Sequence, residues 1–248
     1  MEACPQEAIS LVENDSNGLV EVRPVTDVDK CNLCGRCVDA CTAGAREIIG
    51  RQMSVDEVMA EVEQDVIFYD ESGGGVTFSG GEPLMQPEFL LALLERCRER
   101  GIHTAVDTSC YAEPGIIEKV GEKTDLFLCD IKHMDNEIHE SLTGVGNSLI
   151  LDNIRRLSEA GKEIIIRVPV IPGFNDDKTN IEATGKFAAS LQDVGRIDIL
   201  PFNPVGKEKS GRLTGVEEPM KIEAPGEEKM NSIAKELSKY GFEVKIGG

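Results

Sequence analysis

From residue 54 to residue 246 the chain alternates helical apolar runs with short β-branched runs, and this restricts its fold more than any other feature. Strands separated by helices must be joined by crossovers, which leaves them parallel and gives an α/β fold. Ser54 with Glu57 three residues on predicts a capped helix through Val62. Val76–Ser79 reads as a short strand, and Pro87–Arg100 as a helix with Phe89, Leu90, Leu93, Leu94 and Cys97 on one face. Further strands are expected at His103–Asp107, Leu126–Ile131, Glu163–Val170, Arg196–Pro201 and Glu243–Ile246. The helices between them are expected at Pro114–Val120, Leu149–Ala160, Asn180–Leu191 and Glu227–Tyr240, the last ending at Gly241 as a left-handed cap. Polar residues gather at the strand ends, so a barrel or partial barrel with its site at the C-terminal edge is expected. Gly173–Lys178 and Val205–Gly226 read as loops.

The first 50 residues are different. They hold five of the eight cysteines and show little helical periodicity. Cys31, Cys34, Cys37 and Cys41 form C-x2-C-x2-C-x3-C, and Cys4-Pro5 matches the tail of a second such run. In two-cluster ferredoxins with this spacing, the fourth cysteine of each run ligates the other cluster. On that rule Cys4 completes a 4Fe–4S site with Cys31, Cys34 and Cys37, and Cys41 belongs to a second cluster whose other ligands are not among these residues. Residues 1–50 are therefore expected to be the remainder of a ferredoxin-like cluster-binding insert held by metal, and residues 51–248 the partial barrel. Cys97 and Cys129 lie in apolar runs and read as core thiols, and Cys110 has no ligand spacing. His103, His133 and His139 are scattered without ligand spacing.

Charge narrows the partners. Twenty-six basic against 45 acidic residues give −19, which disfavours nucleic acid and anionic membrane. Absence of Trp leaves little for base stacking. No apolar stretch approaches the ~20 residues needed to span a bilayer, and the first ten residues lack a basic leader followed by an apolar run. Free cysteines without an export signal suit metal ligation in the cytoplasm rather than disulfides.

A set of short motifs then occurs in order: Gly73-Gly74-Gly75-Val76-Thr77, Ser79-Gly80-Gly81-Glu82-Pro83, Asp107-Thr108-Ser109, Asp130-Ile131-Lys132, Arg167-Val168-Pro169-Val170-Ile171-Pro172-Gly173-Phe174, Leu200-Pro201-Phe202-Asn203 and Gly241-Phe242-Glu243-Val244. With the cysteine run, they cover residues 31–246, and the chain resembles the glycyl-radical-enzyme activating enzymes of the radical S-adenosylmethionine (SAM) superfamily, the pyruvate formate-lyase activator family. That resemblance implies a (β/α)6-type partial barrel. It also implies an oxidoreductase in which a 4Fe–4S cluster held by C-x3-C-x2-C binds and reductively cleaves SAM. The resulting 5′-deoxyadenosyl radical removes hydrogen from a backbone glycine of a partner glycyl radical enzyme. Flavodoxin or ferredoxin is the implied reductant, the setting is anaerobic and the activator is a monomer.

Residue by residue, the resemblance assigns Gly80, Gly81 and Glu82 to the SAM amino end. It assigns Asp107, Thr108 and Asp130 to a monovalent cation near the SAM carboxylate, and Lys132 to that carboxylate. Arg167 and Val168 would line the nucleoside pocket, with Asn203 near the adenine where the family often has histidine. Glycine is commoner in the family at the position of Cys110, and proline commonly follows the fourth accessory cysteine, where Thr42 stands here. C-x3-C-x2-C is absent from the 248 residues. The expectation from this is an inactive fragment that lacks the first barrel strand and the SAM cluster. A competing expectation is a non-catalytic iron–sulfur electron-transfer or binding protein on a degenerate barrel. It leaves Gly80-Gly81-Glu82, Asp130 with Lys132 and the Arg167 strand without a purpose.

Overall fold

A computed structural model of the chain describes residues 2–16, 19–48, 50–203 and 222–247. The chain forms two compact units, one built on Met1–Gln52 and the other on Met53–Phe202 with Ile222–Gly248. The first unit therefore extends two residues beyond the boundary read from composition.

The first unit carries an antiparallel pair, β1 (Ile9–Ser16) and β2 (Leu19–Thr26), with Ile9 opposite Thr26. The Asp27 amide bonds the Ala8 carbonyl at 2.8 Å and closes the open end of the ladder. The Asp27 carboxylate then accepts from the amides of Asp29 and Lys30, and its carbonyl from that of Cys31, which turns the chain into the cysteine run. The short helix α1 (Arg36–Asp39) follows Gly35, whose φ of 76° suits glycine.

In the second unit, β3 (Gly75–Phe78), β4 (His103–Thr108), β5 (Leu126–Asp130), β6 (Glu163–Val170), β7 (Val194–Pro201) and β8 (Glu243–Ile246) form one sheet. All neighbours are parallel and lie in chain order. Crossovers are right-handed, so a sheet wound steadily in one direction receives all its crossover helices on one face. The helices are α2 (Val55–Val62), α3 (Val66–Ser72), α4 (Pro87–Glu99), α5 (Pro114–Gly121), α6 (Asn136–Thr143), α7 (Ser148–Glu159), α8 (Lys178–Ala189) and α9 (Glu227–Ser238).

Burial follows from this winding. Val106, Phe127, Cys129, Ile164, Ile166, Val168, Ile197 and Ile199 are fully buried and pack in one core with Leu94, Ile117, Ile154 and Leu237 of the helices. Each such aliphatic side chain contributes about 1.5–3 kcal/mol by leaving water. The intervening strand residues Asp107, Leu128, Asp130 and Arg167 point the other way and are only half-buried. A smaller cluster of Met59, Val62, Leu93, Cys97 and Ile102 seats α2 against α4. At the sheet edge, a Cβ on Gly75 would lie 1.9 Å from the His103 carbonyl oxygen, so only glycine lets β3 approach β4.

All six strands and the capping box occur where the sequence places them. Ser54 Oγ accepts from the Glu57 amide at 3.3 Å, while Glu57 accepts from the Ser54 amide at 2.7 Å. Four elements were not anticipated: the β1–β2 pair, α1, α3 and α6. The Val66–Tyr69 run is β-branched and aromatic, which obscures a helix, and it leaves Ile67 and Phe68 exposed. Helix α6 is short and buries only His139, so its period is faint, although Asp135 caps it by accepting from the amides of Glu137 and Ile138. Most of the expected Val205–Gly226 loop lies outside the described residues. No described helix is long and apolar enough to cross a membrane.

Candidate functional site

The polar motifs converge at the C-terminal ends of β3 to β6, on and beside the face that the helices leave open. Two ion pairs occupy that region: Arg167 on β6 pairs with Asp107 on β4 at 2.6 Å, and Lys132 with Asp130 at 3.2 Å. A third pair, Arg196 with Asp198 at 2.7 Å, lies nearer the start of β7. Ser79, just after β3, donates to Asp107 at 3.2 Å. Asp130 is the exceptional carboxylate: its Oδ1 is buried and has no hydrogen-bond partner among the described residues. Burial pushes its pKa up, against the opposing pull of the Lys132 and Arg167 cations.

Glu82 plays a different part from a waiting acceptor. Its Oε1 accepts from the Thr108 hydroxyl at 2.6 Å and the Leu84 amide at 3.2 Å. Its Oε2 accepts from the Ser109 amide at 2.9 Å and hydroxyl at 2.5 Å. Four donors occupy the roughly four lone-pair sites of a carboxylate, so Glu82 fastens the β3 loop to the end of β4. Gly80 holds a φ of 129°, and a Cβ on either Gly80 or Gly81 would meet nothing within 4 Å. Their backbone is open to a ligand.

Two further expected residues face away from the open side. Val168 is fully buried in the helix-covered core, because adjacent residues of a strand alternate in direction and Arg167 takes the open face. Thr108 is 3% exposed with its hydroxyl engaged by Glu82. Asn203 is exposed, two residues beyond β7.

The sequence reading missed several supporting residues. Ser109 is one. Asn153 on α7 is another, donating to the carbonyls of Cys110 at 2.9 Å and Ala112 at 2.7 Å. These bonds hold Cys110 at a φ of 59°, in the left-handed region that non-glycine residues seldom occupy. The Cys110 and Cys129 thiols are both fully buried and 3.3 Å apart, and their contact with burial drives the Cys110 pKa well up.

In the first unit Cys4 Sγ accepts from the Ala8 amide and Cys41 Sγ from the Ala45 amide, each at 3.3 Å and each four residues on. Cys41 is the fourth cysteine of its run, and hydrogen bonds to the sulfurs are among the features that tune an iron–sulfur cluster. Cys31, Cys34 and Cys37 are free thiols, so the donor set suits an iron–sulfur cluster in kind. Among the described residues no three His, Cys, Asp or Glu side chains gather as a single metal ion would need. Asp107 faces Arg167, one oxygen of Asp130 faces Lys132, and the Thr108 hydroxyl is engaged by Glu82. The edge suits SAM: it carries an open glycine backbone, a lysine ammonium and an unpartnered buried carboxylate oxygen.

Residues 30–182 match the family model of the radical SAM superfamily. The trans-4-hydroxy-L-proline dehydratase activating enzyme of Clostridioides difficile is 41% identical over 207 residues, covering 82% of this chain and 68% of that protein. The (2S)-3-sulfopropanediol dehydratase activating enzyme of Klebsiella oxytoca is 41% identical over 214 residues, covering 84% of this chain and 64% of that one. Among solved structures, a domain of pyruvate-formate lyase-activating enzyme from Bacteroides vulgatus superposes with a TM-score of 0.60 at 40% identity, covering 71% of this chain and 99% of that domain. The chain belongs to the radical SAM superfamily and, within it, to the glycyl-radical-enzyme activating enzymes. It spans about two thirds of the length of these two activating enzymes.

Proposed function

We propose that this chain carries the SAM-binding edge and an accessory iron–sulfur unit of an activator for a glycyl radical enzyme. The observation that carries the reading is Asp130 Oδ1, buried and unpartnered beside Lys132, on a fold of this family. SAM, when bound to a reduced 4Fe–4S cluster, supplies the 5′-deoxyadenosyl radical that takes hydrogen from the partner's glycine. The residues here bind and orient. Lys132 holds the SAM carboxylate, and the backbone carbonyls of Gly80 and Gly81 receive its ammonium in place of Glu82. Asp130 Oδ1 accepts a donor from the ligand. Arg167 and Asp107 keep that side of the pocket rigid, and Val168 offers its backbone groups toward the nucleoside. A monovalent cation would have to displace Arg167 and Lys132 from their carboxylates.

Cys4, Cys31, Cys34 and Cys37 would hold the accessory cluster, with Cys41 serving another. The relatives' names support a glycyl radical enzyme as the partner, and we infer flavodoxin or ferredoxin as reductant, a monomeric state and an anaerobic cytoplasmic setting. No C-x3-C-x2-C run lies within the 248 residues.

Calorimetric titration with SAM tests the central assignment. Lys132→Ala should weaken binding about tenfold or more, as loss of a charge-assisted hydrogen bond predicts; unchanged affinity would sink it. Anaerobic iron reconstitution should give about four irons per chain. Cys4→Ala should lose them and Cys41→Ala should keep them, and the reverse pattern refutes the crossover.

A further inference from the structure

The segment that carries Lys132 leaves the sheet immediately after β5. The Ile131 amide still bonds the Arg167 carbonyl at 2.8 Å, which is the last link to the neighbouring strand. Beyond it, asparagine side chains meet the main chain. Asn175 Nδ2 donates to the Lys132 carbonyl at 2.8 Å. Asn147 Nδ2 donates to the carbonyls of His133 and Met134 at 2.9 and 2.8 Å, and Asn180 Oδ1 accepts from the Met134 amide at 2.9 Å. All three asparagines are buried.

Asn175 alone of the three touches Lys132. Its Nδ2 also donates to the Pro169 carbonyl on β6 at 2.6 Å, and its Oδ1 accepts from the Ile171 amide at 2.7 Å. Its own carbonyl accepts from Asn180 Nδ2 at 2.8 Å. One side chain thus fastens the run-out of β5 to the run-out of β6, two residues beyond Arg167. A lysine carries its charge on a flexible four-carbon stem, so the reach of its ammonium is set by where its backbone is held.

We propose that Asn175 is a positioning residue, acting through Lys132 to place the ammonium for the carboxylate of the bound ligand. The inference rests on the SAM-binding reading above. A merely structural amide would support all ligands alike. A positioning amide acts only on ligands that bear the carboxylate.

Two probes separate these roles: S-adenosylhomocysteine, which has the amino-acid end, and 5′-methylthioadenosine, which lacks it. Their dissociation constants are to be measured on the iron-reconstituted protein and on its Asn175→Ala, Lys132→Ala and doubly substituted forms. Asn175→Ala should weaken S-adenosylhomocysteine by about three- to tenfold, the worth of one or two hydrogen bonds, and leave 5′-methylthioadenosine within about twofold. In the Lys132→Ala background the same change should have no further effect, because the two residues act as one unit. If Asn175→Ala fails to fold, Asn175→Asp keeps the shape and the acceptor for Ile171 while removing both donors, and the same selectivity is expected. Equal weakening of both probes, no weakening, or additivity with Lys132→Ala overturns the proposal. If Lys132→Ala discriminates between the probes but the Asn175 variants do not, only the positioning role fails. If the unsubstituted protein binds neither probe, the SAM-binding reading fails, and this inference with it.

Discussion

The guanidinium of Arg167 on β6 crosses β5 to reach the carboxylate of Asp107 on β4, 2.6 Å away. The two strands are separated by about 10 Å, a gap that an arginine and an aspartate can bridge together. Both side chains are about one-fifth exposed, so the pair sits where water screens it only in part. Arg167→Met leaves Asp107 uncompensated and should destabilise the fold by about 1–3 kcal/mol in urea unfolding. Adding Asp107→Asn should recover part of that loss; full additivity of the two would show that they do not act as a pair.

Glu82→Gln keeps the shape of the β3 loop anchor but turns an acceptor into a donor. One face of the amide must then confront the Ser109 or Thr108 donors. A loss of about 1–3 kcal/mol is expected, together with faster amide exchange at Ser109. A variant as stable as the parent would mean that these bonds do not secure the loop.

The buried thiols should be inert. Burial chiefly, with the Asp125 carboxylate, pushes the Cys97 thiol up to about 11, and the Cys129 contact and burial keep Cys110 protonated. Since only the thiolate reacts readily, brief iodoacetamide treatment of the folded protein before iron reconstitution, at neutral pH, should label the exposed Cys34 and spare Cys97, Cys110 and Cys129. Peptide mass spectrometry reads the pattern directly, and early labelling of Cys97 would contradict it.

Lys229 on α9 clasps Asp176 at 2.9 Å, and Asp176 in turn accepts from the Gly173 amide at 2.8 Å. Burial raises the Asp176 pKa, but Lys229 and Gly173 outweigh it and hold the carboxyl below its usual 3.8. A depressed folded-state pKa adds stability that is present above the unfolded value and disappears as pH falls through the folded one. Melting temperature should therefore drop less steeply below about pH 4 in Lys229→Met than in the parent. An unchanged acid slope would remove the pair from the account.

The strands were legible because each is a β-branched run between helical periods, and the ligand-facing motifs lie at their ends. Which way each residue points was partly legible too: Arg167 and Val168 are adjacent on β6 and must face opposite sides. The asparagines were not legible. Asn147, Asn175 and Asn180 read as loop and cap residues, and their partners among residues 132–134 lie 13 to 46 positions away along the chain. The occupation of Glu82 was hidden for the same reason, since Thr108 and Ser109 are 26 and 27 residues distant. The β1–β2 pair carries too weak an apolar alternation to announce itself.

Because Asp107 and Asp130 are matched to Arg167 and Lys132, the local field at this edge differs from that of the chain as a whole. The molecule carries −19 overall, a charge that would repel an incoming anion at long range. At cellular salt that repulsion fades over about 8 Å, and within this distance a visitor meets nearly neutral walls whose dipoles are already set. Little reorientation is left to be done on its arrival. Association with S-adenosylhomocysteine, a net-neutral zwitterion, should therefore depend only feebly on ionic strength, despite the acidity of the protein that receives it.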